Sequence, residues 1–294
     1  MKLLELIETG AEEFIQAGLS FGHGTSNAFE EAAWLTLWSL GLPLDTPLEG
    51  ADSHANKPIT LTECATVATL FEARIETRQP AAYLTKEAWL QGFAFYVDER
   101  SIIPRSLIAE LLVDGSLDYW LTERTQRVLD LCTGNGSLGI IATQVYPEIA
   151  VVGADISPDA LEVAEINVGL YGLSSRMALV QSDGLKAVEG SFDLLLCNPP
   201  YVNAQSMSLL PAEYRAEPEL ALAGGSDGMD FIRTLLRDAP QHMNENAVLV
   251  LEIGNERENF ETAFPDISAH AIWLETSAGE NQVVLLEKIV LTLG

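Results

Sequence analysis

The segment Asn198-Pro199-Pro200-Tyr201 carries the most specific chemical signal in the sequence. It follows the apolar run FDLLLC, which predicts a buried strand, and ligands of open α/β sheets lie at the carboxyl ends of strands. Proline has no backbone N–H, so this turn presents carbonyl oxygens and few donors. The Asn198 side-chain oxygen and the Pro199 carbonyl can therefore accept both hydrogens of an NH2 group.

Those two acceptors would act on an amide. An amide nitrogen is a poor nucleophile because its lone pair is delocalised into the carbonyl, and holding both hydrogens out of plane would localise that pair and aim it at a methyl group on sulfonium. Tyr201 can cover the planar group and exclude water. The predicted catalytic residues are Asn198, Pro199 and Tyr201, and the predicted substrate contacts are Asn198, Pro199, Pro200 and Tyr201. The structural alternative is a Pro-Pro strand stop in which Asn198 only forms the turn.

A second segment, DLCTGNGSLG over residues 130–139, predicts a nucleoside site. Gly134, Gly136 and Gly139 have the Gly-x-Gly-x-x-Gly spacing between a predicted strand and a predicted helix. Glycine is needed there because the turn is tight and the ligand approaches the backbone closely. Asp155 ends the next strand about 20 residues on, where its carboxylate can accept hydrogen bonds from both ribose hydroxyls.

Two further acids favour S-adenosylmethionine over a dinucleotide as the bound nucleoside. Asp130 ends the first strand, where its charge would oppose a pyrophosphate but help to hold an ammonium group through the turn or a water. Asp183 ends the third strand, where it either accepts from the adenine amino group or only forms a turn. A dinucleotide oxidoreductase would also fit the glycines, but it leaves the Asn-Pro-Pro-Tyr segment unexplained.

Strands and helices alternate from Arg127 onward and must position both segments. Helices are expected over Ser137–Tyr146 and Pro158–Tyr171, and the strand candidates are RVLDLC, AVVGAD, MALVQSD, FDLLLCN, AVLVLEIG, AIWLE and QVVLLEKI. This alternation predicts a parallel sheet covered on both faces, with right-handed crossovers. The expected fold is α/β, a doubly wound, Rossmann-like sheet of seven strands.

The N-terminal part is expected to be helical. Apolar residues recur at helical spacing over Ala28–Leu40 and Thr60–Arg78, with Asn27 and Thr60 placed to cap these helices. Around Phe93–Ile103 short extended runs suggest a hairpin. The predicted division is a helical domain over 1–90, a β-hairpin connector over 91–106 and a methyltransferase domain over 107–294.

Charge bears on the class of partner. Sixteen Lys and Arg stand against 43 Asp and Glu, a formal net charge of −27. Such a charge opposes nucleic-acid binding, because phosphate contacts supply most of that affinity. An acidic surface would attract a basic partner, or it reflects solubility or a host whose whole proteome is acidic.

Other composition features exclude several classes. Three cysteines without paired spacing argue against a disulfide framework or a zinc ribbon, and four scattered histidines indicate no metal cluster. The apolar stretches fall short of the ~18 residues that a spanning helix needs. The glutamate-containing N terminus does not have the pattern of a secretion signal. We therefore expect a soluble cytoplasmic protein without metal.

The segments FYVDERSIIPRS, DLCTGNGSLGI, ADISPDAL, NPPY and EYRAEPELAL together resemble the bacterial protein glutamine N5-methyltransferases over nearly the whole chain. Within that family, FGHGTSNAFEEAAWL, LGLPLD and Cys132 look like the branch that acts on large-subunit ribosomal protein three. A sister branch modifies the GGQ loop of peptide-chain release factors. Its members usually have Gly where Cys132 stands, and we expect the small thiol to fit the turn without a catalytic role.

The resemblance implies S-adenosylmethionine contacts at Cys132, Thr133, Gly134, Asn135, Gly136, Asp155, Asp183 and Asn198, substrate contacts at NPPY, and a helical domain that helps to recognise the protein substrate. Arg105 and Glu217 match family motifs near the site. They either touch the ligands or are a connector ion pair and a solvated loop charge.

The expected reaction is methylation of a glutamine on ribosomal protein three before assembly, since a −27 enzyme attracts a free basic protein and is repelled by ribosomal RNA. The alternatives are release-factor methylation, DNA adenine N6-methylation, which the charge opposes, and a non-catalytic, S-adenosylmethionine-binding ribosome assembly factor.

Overall fold

The computed structural model describes residues 1–292, and the chain forms two compact units. The N-terminal unit consists of Met1–Ala88 with two short later segments, Val97–Glu99 and Leu210–Glu217. The second unit contains Trp89–Tyr96, Arg100–Leu209 and the chain from Pro218 onward. The chain thus leaves the second unit after the Asn-Pro-Pro-Tyr segment, contributes eight residues to the N-terminal unit, and returns. The domain boundaries at 90 and 106 stay predictions.

Four helices build the N-terminal unit: α1 Leu3–Gln16, α2 Ala28–Ser39, α3 Leu61–Thr77 and α4 Ala81–Thr85. Both predicted helix starts are confirmed, because the Asn27 side chain accepts from the Glu30 N–H and Thr60 forms a capping box with Glu63. Helix α1 lies close to α3 because Gly10 has no Cβ; one added there would lie 2.2 Å from the Phe71 ring.

The hairpin lies earlier in the chain than predicted. Its strands are β1 Glu87–Leu90 and β2 Phe93–Tyr96, whereas Ser101–Ile103 lies outside every strand. The turn decides this register: Gln91 and Gly92 both have positive φ, 50° and 80°, which is the twist that a two-residue hairpin loop requires.

Seven strands form one sheet in the second unit, and all seven predicted strands are confirmed. They are β3 Arg127–Leu131, β4 Ala150–Asp155, β5 Met177–Gln181, β6 Phe192–Cys197, β7 Met243–Glu252, β8 Ile272–Thr276 and β9 Gly279–Glu287. The order is β5-β4-β3-β6-β7-β9-β8, so the strand order reverses between β3 and β6. The first five strands in this order are parallel, as predicted, but β9 runs antiparallel to both neighbours, so the prediction of a wholly parallel sheet is wrong at this edge. Only two residues join β8 to β9, and a parallel crossover needs about a dozen.

Helices cover both faces of this sheet. The helices of this unit are α5 Ile108–Val113, α6 Ser137–Val145, α7 Pro158–Leu170, α8 Ala204–Leu209, α9 Asp230–Asp238, α10 Arg257–Ala263, α11 Pro265–Ser268 and α12 Lys288–Leu291. Strand β6 shows the two faces by alternation, since Leu194 and Leu196 join one apolar cluster while Leu195 and Cys197 join the other. In the described part of the chain, no helix has the combined length and apolarity that a membrane crossing requires.

Candidate active site

The register of the sheet brings the predicted site residues to one edge. Leu131 of β3 pairs with Ala154 of β4 and Cys197 of β6, and Cys197 pairs with Leu251 of β7. The residues that follow this row at the carboxyl ends of the four strands are Asp155, Cys132, Asn198 and Glu252. Three of these were predicted, and Glu252 was not. The edge lies where the strand order reverses, which is the ligand-binding position of doubly wound sheets.

The turn after β3 has left-handed backbone at three positions. Cys132, Gly134 and Gly136 have φ values of 59°, 55° and 84°, and Gly136 is the N-cap of helix α6. This conformation is strained for a residue with a Cβ, so a glycine is the natural occupant of position 132. A hydrogen bond with Cys197, together with burial, raises the pKa of the Cys132 thiol well above its usual range. A protonated thiol is a poor nucleophile, in keeping with a packing role.

Asp130 ties this turn to the helix that follows. Its Oδ2 accepts from the Thr133 hydroxyl and, at 2.9 Å, from the Gly139 N–H. Gly139 permits this close approach, because a Cβ there would lie 3.1 Å from Asp130 Oδ2 and 2.7 Å from the Met177 side chain. Burial raises the pKa of Asp130 to about 7, despite the hydrogen bonds that favour its charged form.

Asp155 lies beside the same turn. Its Oδ2 accepts from the Gly134 N–H and its Oδ1 from the Ser157 N–H, both at 2.9 Å. Burial raises the pKa of Asp155. Each carboxylate oxygen keeps a second lone pair that can accept from a hydroxyl, so the geometry fits the predicted ribose contact.

Among the described residues, the Asp183 carboxylate forms no hydrogen bond with the turn after β3. Its exposed carboxylate forms an ion pair with Lys186, one turn along the chain. The adenine contact stays a prediction.

The Asn198 turn presents the two predicted acceptors. Asn198 is half-buried and Pro199 is buried. Within residues 1–292, no protein hydrogen bond uses the Asn198 side-chain oxygen or the Pro199 carbonyl. Both oxygens can therefore bind a ligand without breaking an internal bond.

Three glycines that sequence reasoning missed surround Tyr201. A Cβ on Gly224 would lie 2.7 Å from the Tyr201 Cα, and one on Gly228 would lie 2.3 Å from its carbonyl oxygen. A Cβ on Gly254 would lie 2.4 Å from the ring carbon Cε2. The repeated glycines in AGGSDG and EIG were the available signal, but only the fold shows that they face one tyrosine.

Glu252 is the other residue that sequence reasoning missed. Its Oε1 accepts from the Tyr201 hydroxyl at 3.1 Å, and its Oε2 accepts from the Ser106 hydroxyl at 2.6 Å and the Leu107 N–H at 2.9 Å. Burial raises its pKa, while the charge of Arg105 acts in the opposite direction. A glutamate at the end of the apolar run AVLVLE was the signal, by the strand-end rule that selected Asn198.

Known proteins with similar sequences are methyltransferases. The ribosomal protein uL3 glutamine methyltransferase of Bordetella pertussis is 46% identical over 289 residues, covering 97% of this chain and 95% of that protein. The one of Burkholderia pseudomallei is 47% identical, covering 96% and 93%. This chain belongs to the uL3 glutamine methyltransferase family. The enzyme is a methyltransferase whose cofactor is S-adenosylmethionine, and the Methyltransferase small domain model matches residues 110–213.

Solved structures agree with the fold. The hMettl16 catalytic domain, in complex with MAT2A 3'UTR hairpin 6, aligns with a TM-score of 0.53 at 12% identity. The alignment covers 78% of this chain and 86% of that one. At this identity the likeness concerns the fold alone.

The turn after β3 of this methyltransferase fits the cofactor. Asp130 Oδ1 and Asn135 Nδ2 are buried without a hydrogen-bond partner among the described residues, one an acceptor and the other a donor. Unpartnered buried polar atoms cost free energy, so a ligand or ordered water that pairs with them is favoured. The acceptor suits the ammonium group of S-adenosylmethionine, directly or through a water, and Asp155 suits its ribose.

Glu217 of this methyltransferase lies buried in the N-terminal unit. Its carboxylate lies 3.3 Å from His23 Nε2, and both side chains are almost fully buried. In the same unit Arg74 pairs with Glu31 at 2.7 Å, and Glu213 lies 3.6 Å from Arg74. Glu217 is therefore no solvated loop charge, and that alternative is wrong. The loop EYRAEPELAL has the composition of polar surface, but it places Glu213 beside the buried Arg74 and Glu217 beside the buried His23.

Proposed function

We propose that this methyltransferase methylates the side-chain nitrogen of a glutamine in ribosomal protein uL3. The proposal rests on two hydrogen-bond acceptors that no protein donor uses within the described chain, the Asn198 side-chain oxygen and the Pro199 carbonyl. They lie at the same edge of the sheet as Asp155. Two acceptors facing one nitrogen suit an NH2 group, and an unmodified glutamine has one. The names of the relatives give the protein that carries this glutamine.

S-adenosylmethionine, when bound, supplies a methyl group on sulfonium that a suitably aligned nucleophile takes by in-line displacement. Asn198 and Pro199 hold the two amide hydrogens and localise the nitrogen lone pair. Tyr201, fixed by its glycine surroundings, covers the amide and excludes water. Orientation and a preorganised polar environment provide the acceleration. The methylated nitrogen is cationic and sheds its proton readily, so a strong general base is unnecessary.

We further propose that the N-terminal unit helps to recognise uL3, and that modification precedes assembly in the cytoplasm. A net charge of −27 attracts a free basic protein and repels ribosomal RNA. The same repulsion supports a reaction without direct nucleic-acid contact. Labelled methyl transfer to free uL3 should therefore be faster than transfer to assembled large subunits, and the difference should shrink at high salt. Equal rates on both would contradict this part of the proposal.

The substrate is tested by methyl transfer from labelled cofactor to separately purified uL3 and release factor. We expect label on uL3 alone, at one glutamine that mass spectrometry locates. Asn198→Ala is the control, because it removes an acceptor and leaves the turn after β3 intact. Label on the release factor alone would keep the chemistry and overturn the substrate assignment.

A further inference from the structure

We propose that Glu252 is a positioning residue for methyl transfer, holding the Tyr201 ring and the segment 105–107 in one fixed arrangement. The inference rests on the proposed function, since it concerns the side chain that covers the glutamine amide. Glu252 itself need touch neither the substrate nor the cofactor. It acts through the groups that donate to its carboxylate.

The position of Glu252 supports this role. It ends β7, and in the register of the sheet it lies beside Asn198, one residue beyond the pair Cys197 and Leu251. Its side chain is 3% exposed. A buried carboxylate at this edge costs desolvation free energy, which an apolar side chain would avoid. The charge is compensated here by three donors and by nearby Arg105.

The bonds of Glu252 join two distant segments. The Tyr201 hydroxyl comes from the Asn-Pro-Pro-Tyr turn, and Ser106 and Leu107 come from the chain that enters helix α5. The two bonds to Oε2 orient the carboxylate, so that Oε1 faces the Tyr201 hydroxyl. Gly254 lies against the Tyr201 ring, and Gly224 and Gly228 lie against its backbone. The tyrosine is therefore held at its backbone, its ring edge and its hydroxyl.

This arrangement predicts that a substitution at Glu252 changes kcat more than cofactor affinity. Hydrogen bonds to an ionised carboxylate are about twice as strong as neutral ones. Glu252→Gln keeps the shape but weakens the bonds, so that Tyr201 becomes mobile while the turn after β3 is unaffected. We expect kcat to fall about tenfold, with S-adenosylmethionine affinity within about twofold of the original.

A double-mutant cycle separates positioning from a general structural effect. If Glu252 acts through the Tyr201 hydroxyl, Tyr201→Phe removes the same interaction, and the double variant should have the kcat of the worse single variant. The proposal would be overturned if the kcat losses of the two single variants multiplied in the double variant. It would also be overturned if kcat were unchanged in Glu252→Gln, or if this variant lost cofactor affinity by the same factor as kcat.

Asp193→Asn is the matched control. Asp193 lies near the amino end of β6, at the opposite edge of the same sheet, and accepts from the Gln126 and Arg127 N–H groups at 2.9 Å. The chemical change is the same, a hydrogen-bonded carboxylate becoming an amide. We expect this variant to lose stability but to keep its kcat.

A spectroscopic measurement tests the positioning role of Glu252 even if uL3 is not the substrate. With 3-fluorotyrosine incorporated at Tyr201, the fluorine resonance should show one held ring in the original protein and an averaged, shifted signal in Glu252→Gln. The Asp193→Asn control should leave it unchanged. An identical resonance in Glu252→Gln overturns the positioning role. Failure of the original protein to methylate uL3 would instead overturn the substrate assignment alone.

Discussion

Two turns leave the carboxyl edge of the sheet on neighbouring strands, and they are built differently. At the turn after β3, the carboxylates of Asp130 and Asp155 are already hydrogen-bonded, because each accepts from backbone N–H groups within or next to the turn. The turn after β6 leaves its acceptors, on Asn198 and Pro199, without a protein partner in the described chain. It is held from outside, by glycines and by Glu252.

The difference corresponds to two tasks. Every reaction cycle binds the same cofactor. Its affinity is higher when internal hydrogen bonds already orient the charged side chains that contact it, because these side chains then need not be ordered on binding. A site that holds NH2 hydrogens gains from acceptors that no protein donor occupies. Changes in the first turn should therefore alter cofactor affinity, and changes in the second should alter kcat.

Asn198→Ala should have the largest effect. It removes one of the two acceptors for the amide hydrogens, and the loss of one preorganised partner lowers kcat by about 10²–10³-fold. Cofactor affinity, measured by calorimetry, should change little. A loss confined to KM would show that Asn198 binds the substrate without activating it.

Gly254→Ala should come next. The added methyl group would lie 2.4 Å from Tyr201 Cε2, so the ring must move, and we expect kcat to fall about 10- to 100-fold. Gly172→Ala is the matched control. Gly172 has a similar positive φ of 65°, but nothing lies within 4 Å of its Cβ position. Equal kcat losses in both variants would attribute the effect to backbone strain and not to Tyr201.

Asp155→Ala should lower cofactor affinity at least about tenfold, because each hydrogen bond to a charged group contributes about 1.5–3 kcal/mol. The kcat at saturating cofactor should change less than the affinity. Asp183→Ala tests the adenine contact in the same titration, since the Asp183 carboxylate is otherwise paired with Lys186 at the surface. Unchanged affinity in Asp155→Ala would show that the ribose is held elsewhere.

A pH effect should be smaller still. With a pKa of about 7, Asp130 is largely neutral at about pH 6 and ionised at about pH 8. Only the ionised form attracts an ammonium group, so cofactor affinity should rise with pH through about 7 and level off above about 8. Asp130→Asn should abolish this rise. A flat profile in the original protein would separate Asp130 from the ammonium group.

Cys132→Gly should have the smallest effect. It relieves the left-handed strain at φ 59°, which costs roughly 1–2 kcal/mol for a residue with a Cβ, so thermal stability should stay equal or rise. Methyl transfer should remain close to the original rate. A large loss of activity would give the thiol a role that its raised pKa opposes.

Two sequence predictions were wrong, one about the position of the hairpin and one about the surroundings of Glu217. The hairpin was placed at Phe93–Ile103 from its extended residues, but the positive φ of Gln91 and Gly92 moves it to Glu87–Tyr96. The sequence leaves Glu217 open as a ligand contact or a solvated loop charge, and the second alternative is wrong because the side chain is buried beside His23. The hairpin is decided by the two residues directly before Phe93, whereas the partner of Glu217 lies far away in the chain, where no local pattern contains it.

The sequence alone predicts the seven strands, the turn between β3 and α6, and the strand ends at Asp155 and Asn198. Apolar runs and glycine spacing are local signals, and the strand-end rule turns them into a site. The folded chain is needed to show that Glu252 lies beside Asn198, that three glycines surround Tyr201, and that residues 210–217 belong to the N-terminal unit. These depend on register and on packing between residues far apart in the chain, and no local pattern contains that information.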